Sequence, residues 1–154
     1  AVWIIGYGFI QAIAPQLTGL AEERSTGRGQ LVLYGGLLAV TPAGLALALT
    51  TDWAVAWVVS LGLLVFAVLF AMNSALHSYL IVRFARADGA SLDIGFYYMS
   101  NAGGRLAGTV LSGALYQWQG LEMCLWVSAG CIAIASLVAL MIPEQMVLEA
   151  PDKI

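Results

Sequence analysis

The polar residues that could do chemistry lie inside two apolar segments of the chain. In segment 94–116, Tyr97, Asn101 and Arg105 recur every four residues, so an α-helix places them on one stripe. Arg105 would lie about 20 Å beyond the cytoplasmic end of that helix, near the bilayer midplane, at a rise of about 1.5 Å per residue. Burying a cation there costs about 3 kcal/mol.

The guanidinium group of Arg105 suits an anion because its planar fork donates two parallel hydrogen bonds to phosphate or carboxylate. Asp52, Asp88, Asp93 and Glu122 all fall at helix ends, so none of them compensates this charge. The sequence therefore predicts an anionic ligand at Arg105. The alternatives are a lock between helices and a side chain that extends to the cytoplasmic surface.

Segment 53–82 carries a second polar pair, Asn73 and His77, which are four residues apart and share a helix face. Their predicted depth overlaps that of Asn101 and approaches that of Arg105. His77 could bind an anion or relay a proton, or its ring could bond to a backbone carbonyl. The predicted substrate-binding residues are Arg105, His77, Asn73, Tyr97 and Asn101.

The composition places these segments in lipid. The chain of 154 residues is 61% hydrophobic and only 10% charged, whereas a soluble domain is about 25% charged. Apolar runs of about 20 residues have the length that crosses a bilayer as helix. We therefore predict an all-α, multi-pass membrane protein whose first partner is the lipid bilayer.

Loops and turns divide the chain into five membrane segments. The predicted organisation is a truncated transmembrane helix 1–16, a cytoplasmic loop 17–28, transmembrane helices 29–50 and 53–82, a cytoplasmic loop 83–93, transmembrane helices 94–116 and 121–142, and a cytoplasmic tail 143–154. The first segment is too short to span, so we expect a fragment of a longer protein.

Basic residues give the orientation. They follow the first, third and fifth segments, and the other two turns have none. Because cytoplasmic loops are enriched in Lys and Arg, we predict a cytoplasmic C-terminus. The residues concerned are Arg24, Arg28, Arg83, Arg86 and Lys153.

Other motifs narrow the function. Gly104 and Gly108 form a GxxxG pattern that favours close helix packing. Cys124 and Cys131 are expected to be buried small hydrophobic residues, too far apart to hold one metal ion. The basic residues form no nucleic-acid patch, and no catalytic motif occurs. We therefore expect no enzyme activity, no cofactor, no metal site and no nucleic-acid partner.

Several strings resemble a known family: AVWIIGYGFIQAIAPQL, AMNSALHSYLIV, DIGFYYMSNAGGRLAGTVLSGALYQ and GLEMCLWVSAG. The chain resembles helices 8 to 12 of a major facilitator superfamily permease, and most closely the organoarsenical efflux permeases of arsenate resistance. GFYYMSNAGGRLAGTVLSG is the most specific string, although GR with small residues recurs throughout the superfamily. In that fold, helices 8, 10 and 11 line the central cavity.

The resemblance implies a bacterial inner-membrane permease that exports 1-arseno-3-phosphoglycerate. It also implies a functional link to glyceraldehyde-3-phosphate dehydrogenase, which makes that compound, and an N-terminal half that completes the permease. Two alternatives remain open: a permease for another anion, such as a sugar phosphate or carboxylate, and a non-transporting helical membrane subunit. A transporter predicts that Asn73, His77, Tyr97 and Arg105 face one open concave surface, whereas a scaffold predicts polar packing without a cavity.

Overall fold

A computed structural model describes residues 5–6, 8–10, 12–13, 27–51, 53–84 and 89–141. Three long helices occupy most of these ranges: α1 Gly27–Ala48, α2 Val55–Phe84 and α3 Ala90–Ala139. Each is long and apolar enough to cross a membrane. The all-α prediction is therefore confirmed for the described part of the chain, which contains no strand. The predicted tail 143–154 and most of segments 1–16 and 17–28 lie outside it.

Two threonines form hydrogen bonds to the C-terminal end of helix α1. The hydroxyls of Thr50 and Thr51 donate to the carbonyls of Leu47 and Ala48 at 2.7 and 2.6 Å. The same two carbonyls also accept the backbone N–H groups of Thr50 and Thr51, at 3.1 and 3.2 Å, so the hydroxyl bonds reinforce the last turn of the helix. The helix continues through Pro42, so the short segment 49–54 turns the chain directly into α2.

Helix α2 is longer than a bilayer requires. Its 30 residues span about 45 Å, against a hydrocarbon core of about 30 Å. In a bilayer of that thickness, tilt or projection into the aqueous phase would accommodate the excess. The polar pair of α2, Asn73 and His77, lies near its C-terminal end, where Phe84 precedes the connection to α3.

Helix α3 contains two spans folded back on each other at one glycine. Gly120 has non-helical backbone angles, φ 81° and ψ −165°, a left-handed conformation that glycine adopts without a steric penalty. Cys124 Sγ lies 3.4 Å from the carbonyl oxygen of Ser112, whereas a straight helix would separate these residues by about 18 Å. The reversal predicted for residues 117–120 therefore falls on its last residue, and helix extends up to it.

Helix α1 is the centre of the packing and contacts both α2 and α3, which touch each other only slightly. Its buried leucines recur every seven residues, and Leu76 of α2 is 1% exposed. The part of α3 after Gly120, residues 121–139, is its second arm, and the backbone of α1 approaches this arm where Gly35 meets Ser136. The buried leucines of α1 are Leu31, Leu38 and Leu45.

Candidate functional site

Two residues of the predicted site are joined on α2. His77 Nδ1 lies 2.9 Å from the carbonyl oxygen of Asn73. A carbonyl oxygen only accepts, so Nδ1 must carry the hydrogen and donate it. This is the contact expected by the alternative interpretation of His77, and it occupies only one of the two ring nitrogens.

The side chain of Asn73 leaves a polar atom without a partner. Its amide oxygen Oδ1 is buried and accepts no hydrogen bond from the residues that the structure describes. A buried acceptor in this state costs about 1–3 kcal/mol. A group outside the described residues, such as a ligand or another helix, would remove this cost.

Helix α1 brings a further polar residue to the same level. Gly62 of α2 lies against Leu45 of α1, and the two helices run antiparallel. His77 lies fifteen residues after Gly62, and Gln30 lies fifteen residues before Leu45. Half-buried Gln30 is therefore level with His77. Gln30 was not among the predicted site residues, although a glutamine so near the start of an apolar helix could have indicated it.

The first arm of α3, residues 90–119, carries the other three predicted site residues. The ring of half-buried Tyr97 lies edge-on to Tyr98, with centroids 5.4 Å apart. Asn101 and Arg105 are exposed, as is every residue from 98 to 114. Among the described residues, no hydrogen bond joins either of these two side chains to Asn73 or His77, so the polar residues form two groups on two helices. Whether all five residues line one cavity stays a prediction.

Arg105 has no acidic partner within the described residues. It lies fifteen residues from Ala90 and fifteen from Gly120, at the middle of its arm. Asp93 lies twelve residues earlier, about 18 Å along the helix. Glu122 lies at the other end, beside the reversal at Gly120. The cation therefore stands alone halfway along a long apolar helix.

The hydroxyl groups beyond Arg105 are already satisfied. Thr109 donates to the carbonyl of Arg105 at 2.8 Å, and Ser112 donates to the carbonyl of Thr109 at 3.1 Å. Such back-bonding hides a hydroxyl from a surrounding apolar medium. Between residues 94 and 119, Arg105 is the only charged residue, and it has no comparable backbone bond for its side chain.

The predicted helix-packing motif at Gly104 and Gly108 has no described helix packed against it. A side chain added at Gly104 or Gly108 would meet no atom within 4 Å, so no described residue packs there. The close approaches occur instead at Gly35 and Gly62, which the sequence analysis did not single out. The adjacent glycines Gly35 and Gly36 were the signal that could have identified the first.

The cysteines differ from their prediction. Cys131 is exposed, and Cys124 is half-buried against the first arm through its contact with Ser112. They were expected to be buried because they are apolar, but a helix surrounded by lipid can direct apolar groups outward. Both are free thiols. Within the described ranges, His, Cys, Asp and Glu form no group of three suited to a metal ion.

An apolar cavity of about 380 Å³ lies between the connected ends of α1 and α2. None of the five predicted site residues lines it. Its lining includes a single hydroxyl, two tryptophans and no charged residue, so it offers no cation to an anionic ligand. The lining residues are Thr41, Gly44, Leu45, Ala48, Trp53, Ala54, Trp57, Val58, Leu61 and Gly62.

Away from the helix ends, the described helices therefore present the guanidinium of Arg105, the imidazole of His77 and several amide and phenol groups, with no acid close to Arg105 among the described residues. That set can bind an anion by hydrogen bonds and charge. No protein-family model, curated protein or solved structure matches this chain. What it does must be inferred from these apolar helices and the polar residues they carry.

Proposed function

We propose that this chain is part of a multi-pass membrane permease that exports a small organic anion by alternating access. The observation that carries the proposal is the exposed Arg105, which lies at the middle of an apolar arm without an acidic partner among the described residues. A membrane protein keeps such a costly charge where it faces a cavity, a partner or a substrate. An anionic substrate compensates the charge each time it binds.

In this mechanism, Arg105 binds the most highly charged group of the substrate through its planar fork. Tyr97 and Asn101 lie on the same stripe and add hydrogen bonds, and Asn73 and His77 contribute from α2. Hydrogen bonds to charged groups contribute about 1.5–3 kcal/mol each. The other half of a major facilitator permease supplies the opposite cavity wall, and the site becomes accessible alternately to the two sides of the membrane.

The substrate proposed is 1-arseno-3-phosphoglycerate, which carries both phosphate and arsenate groups. The support is the resemblance of the GFYYMSNAGGRLAGTVLSG string to the organoarsenical efflux permeases. The proposed location is the bacterial inner membrane with a cytoplasmic C-terminus, supported by the positions of the basic residues. A sugar phosphate or a carboxylate would suit the same cation.

The second candidate is a non-transporting helical subunit. The observation that favours it is the open face around Gly104 and Gly108, where another helix could pack closely. In that case, Arg105 would pair with an acid on the packed helix. The two candidates differ in whether Arg105 is needed for transport or only for assembly.

The test is arsenate resistance in a sensitive bacterium that expresses the permease containing this chain, with and without the partner dehydrogenase. We expect resistance only when both proteins are present. Arg105→Ala should abolish it while the protein remains in the membrane, because no other cation replaces the guanidinium. Arg105→Lys should retain part of it, because lysine keeps the charge but loses the planar fork.

The matched control is Leu106→Ala, since Leu106 is 69% exposed on the same arm. It should leave resistance unchanged. Absence of resistance with the wild-type pair would exclude the arsenical substrate. If Arg105→Ala retained full resistance, Arg105 would have no part in substrate binding, and the scaffold candidate would gain support.

A further inference from the structure

The hydrogen bond of His77 restricts what its ring can do. In the neutral ring, one nitrogen carries a hydrogen and the other carries a lone pair. Because Nδ1 donates to the carbonyl of Asn73 at 2.9 Å, the lone pair must be on Nε2. The neutral ring therefore offers a further ligand only an acceptor.

In this state Nε2 cannot donate a hydrogen bond to an anionic oxygen, because both atoms present lone pairs. When the ring gains a proton, Nε2 becomes a donor and the ring becomes a cation. The bond to Asn73 is kept in both states, since Nδ1 donates in each. Protonation therefore changes the chemistry of Nε2 without releasing the ring from the helix.

We infer that His77 binds the transported anion only in its protonated form, so that a proton enters the site together with the anion. This inference rests on the proposed function and adds a proton-binding role to one of its residues. Histidine is suited to that role because its charge changes between about pH 5 and pH 8. Binding of the anion and binding of the proton then promote each other reciprocally.

Charged and titratable residues near the level of His77 lie on all three helices. Arg28 lies two residues before Gln30 in α1, Tyr34 lies one turn after Gln30, and Arg83 lies six residues after His77 in α2. On α3, Tyr97 lies as far from the connection between α2 and α3 as His77 does on α2. Tyr97 is seven residues after Ala90, and His77 is seven residues before Phe84. Asp93 lies one turn nearer the connection, and Arg105 two turns farther along α3. Within the described residues, no hydrogen bond or ion pair joins Tyr34, Tyr97 or Arg105 to His77.

The inference is tested by calorimetric titration of 3-phosphoglycerate into the whole permease in lipid nanodiscs. Titrations at about pH 5.5, 6.5 and 7.5 cover the range in which histidine changes charge. Repeating each in two buffers of different ionisation heat counts the protons taken up. The phosphate of the probe also titrates here, so wild type and His77→Gln are compared to remove that shared contribution.

We expect the wild type to take up more protons per anion than His77→Gln. Its affinity should also fall more steeply with pH, by an additional factor of at most about tenfold per pH unit, the limit for one linked proton. His77→Arg, which carries a permanent charge, should match the shallow profile of His77→Gln but bind more tightly at the highest pH. Tyr79→Phe on the same helix is the control and should behave as wild type.

The outcomes separate the two proposals. If wild type and His77→Gln bind the probe with the same pH profile and proton count, the proton role of His77 is wrong and the proposed function stands. If wild type binds no probe at any pH, the anion-permease proposal fails and the inference fails with it. A pH profile of His77→Arg as steep as that of the wild type would also contradict it, because the steepness would then belong to another group.

Discussion

The close approach of α1 to α3 at Gly35 predicts different effects for two neighbouring glycines. A side chain at Gly35 would meet Ser136 of α3, with its first carbon 3.3 Å from Ser136 Cβ and 3.8 Å from Ser136 Cα. Ser136 cannot rotate freely aside, because its hydroxyl donates to the carbonyl of Ile132 at 3.0 Å. A side chain at Gly36 would meet nothing within 4 Å.

The magnitude follows from comparing Gly35→Ala with Gly36→Ala. Both gain up to about 1 kcal/mol of helix propensity, so that term cancels between them. Gly35→Ala alone incurs overpacking, at about 1–3 kcal/mol. We therefore expect it to be less stable than Gly36→Ala by that amount. For a protein of this size, each kcal/mol corresponds to a shift of about 2–4 °C in Tm.

The assay is thermal unfolding of the detergent-solubilised permease, followed by the loss of its monodisperse chromatographic peak. Ser136→Gly should rescue Gly35→Ala, because it removes the side chain that the new methyl group meets. The double variant should then regain most of the lost Tm. Equal melting of Gly35→Ala and Gly36→Ala would refute the packing of α1 on the second arm of α3.

Two further predictions concern the core and the hairpin. Leu76→Ala should lower the free energy of unfolding by about 2–5 kcal/mol, since Leu76 is 1% exposed. The control Leu106→Ala should change it by less than about 0.5 kcal/mol. The same thermal assay compares the two variants, and equal losses of stability would contradict the burial pattern. In Ser112→Cys, a short bismaleimide should join the new thiol to Cys124 but not to Cys131, which lies about 10 Å farther along its arm. Mass spectrometry of peptides identifies the cross-link, and its absence would indicate that the arms do not fold back at Gly120.

Sequence by itself predicted an all-helical chain with segments apolar and long enough to cross a membrane, and it located most of the helices. Lipid requires each backbone group to be satisfied within its own segment, so long apolar runs with few charges must become helices, and local composition is enough to find them. The same local rules gave the reversal near residues 117–120, where a glycine ends a helix. Of the site, the sequence also identified the polar residues, because a charge such as Arg105 is conspicuous in an apolar run.

Tertiary structure decided which faces meet. In a soluble helix, polarity marks the surface that turns away from the core, but here both the buried and the lipid-facing residues are apolar. Periodicity therefore could not indicate that Gly35 rather than Gly104 lies at a close approach, or that Cys131 faces outward. Contacts such as Gly62 with Leu45, which bring Gln30 level with His77, depend on the register between helices. The donor role of His77 Nδ1 depends on the ring geometry within α2, which residue spacing alone does not encode.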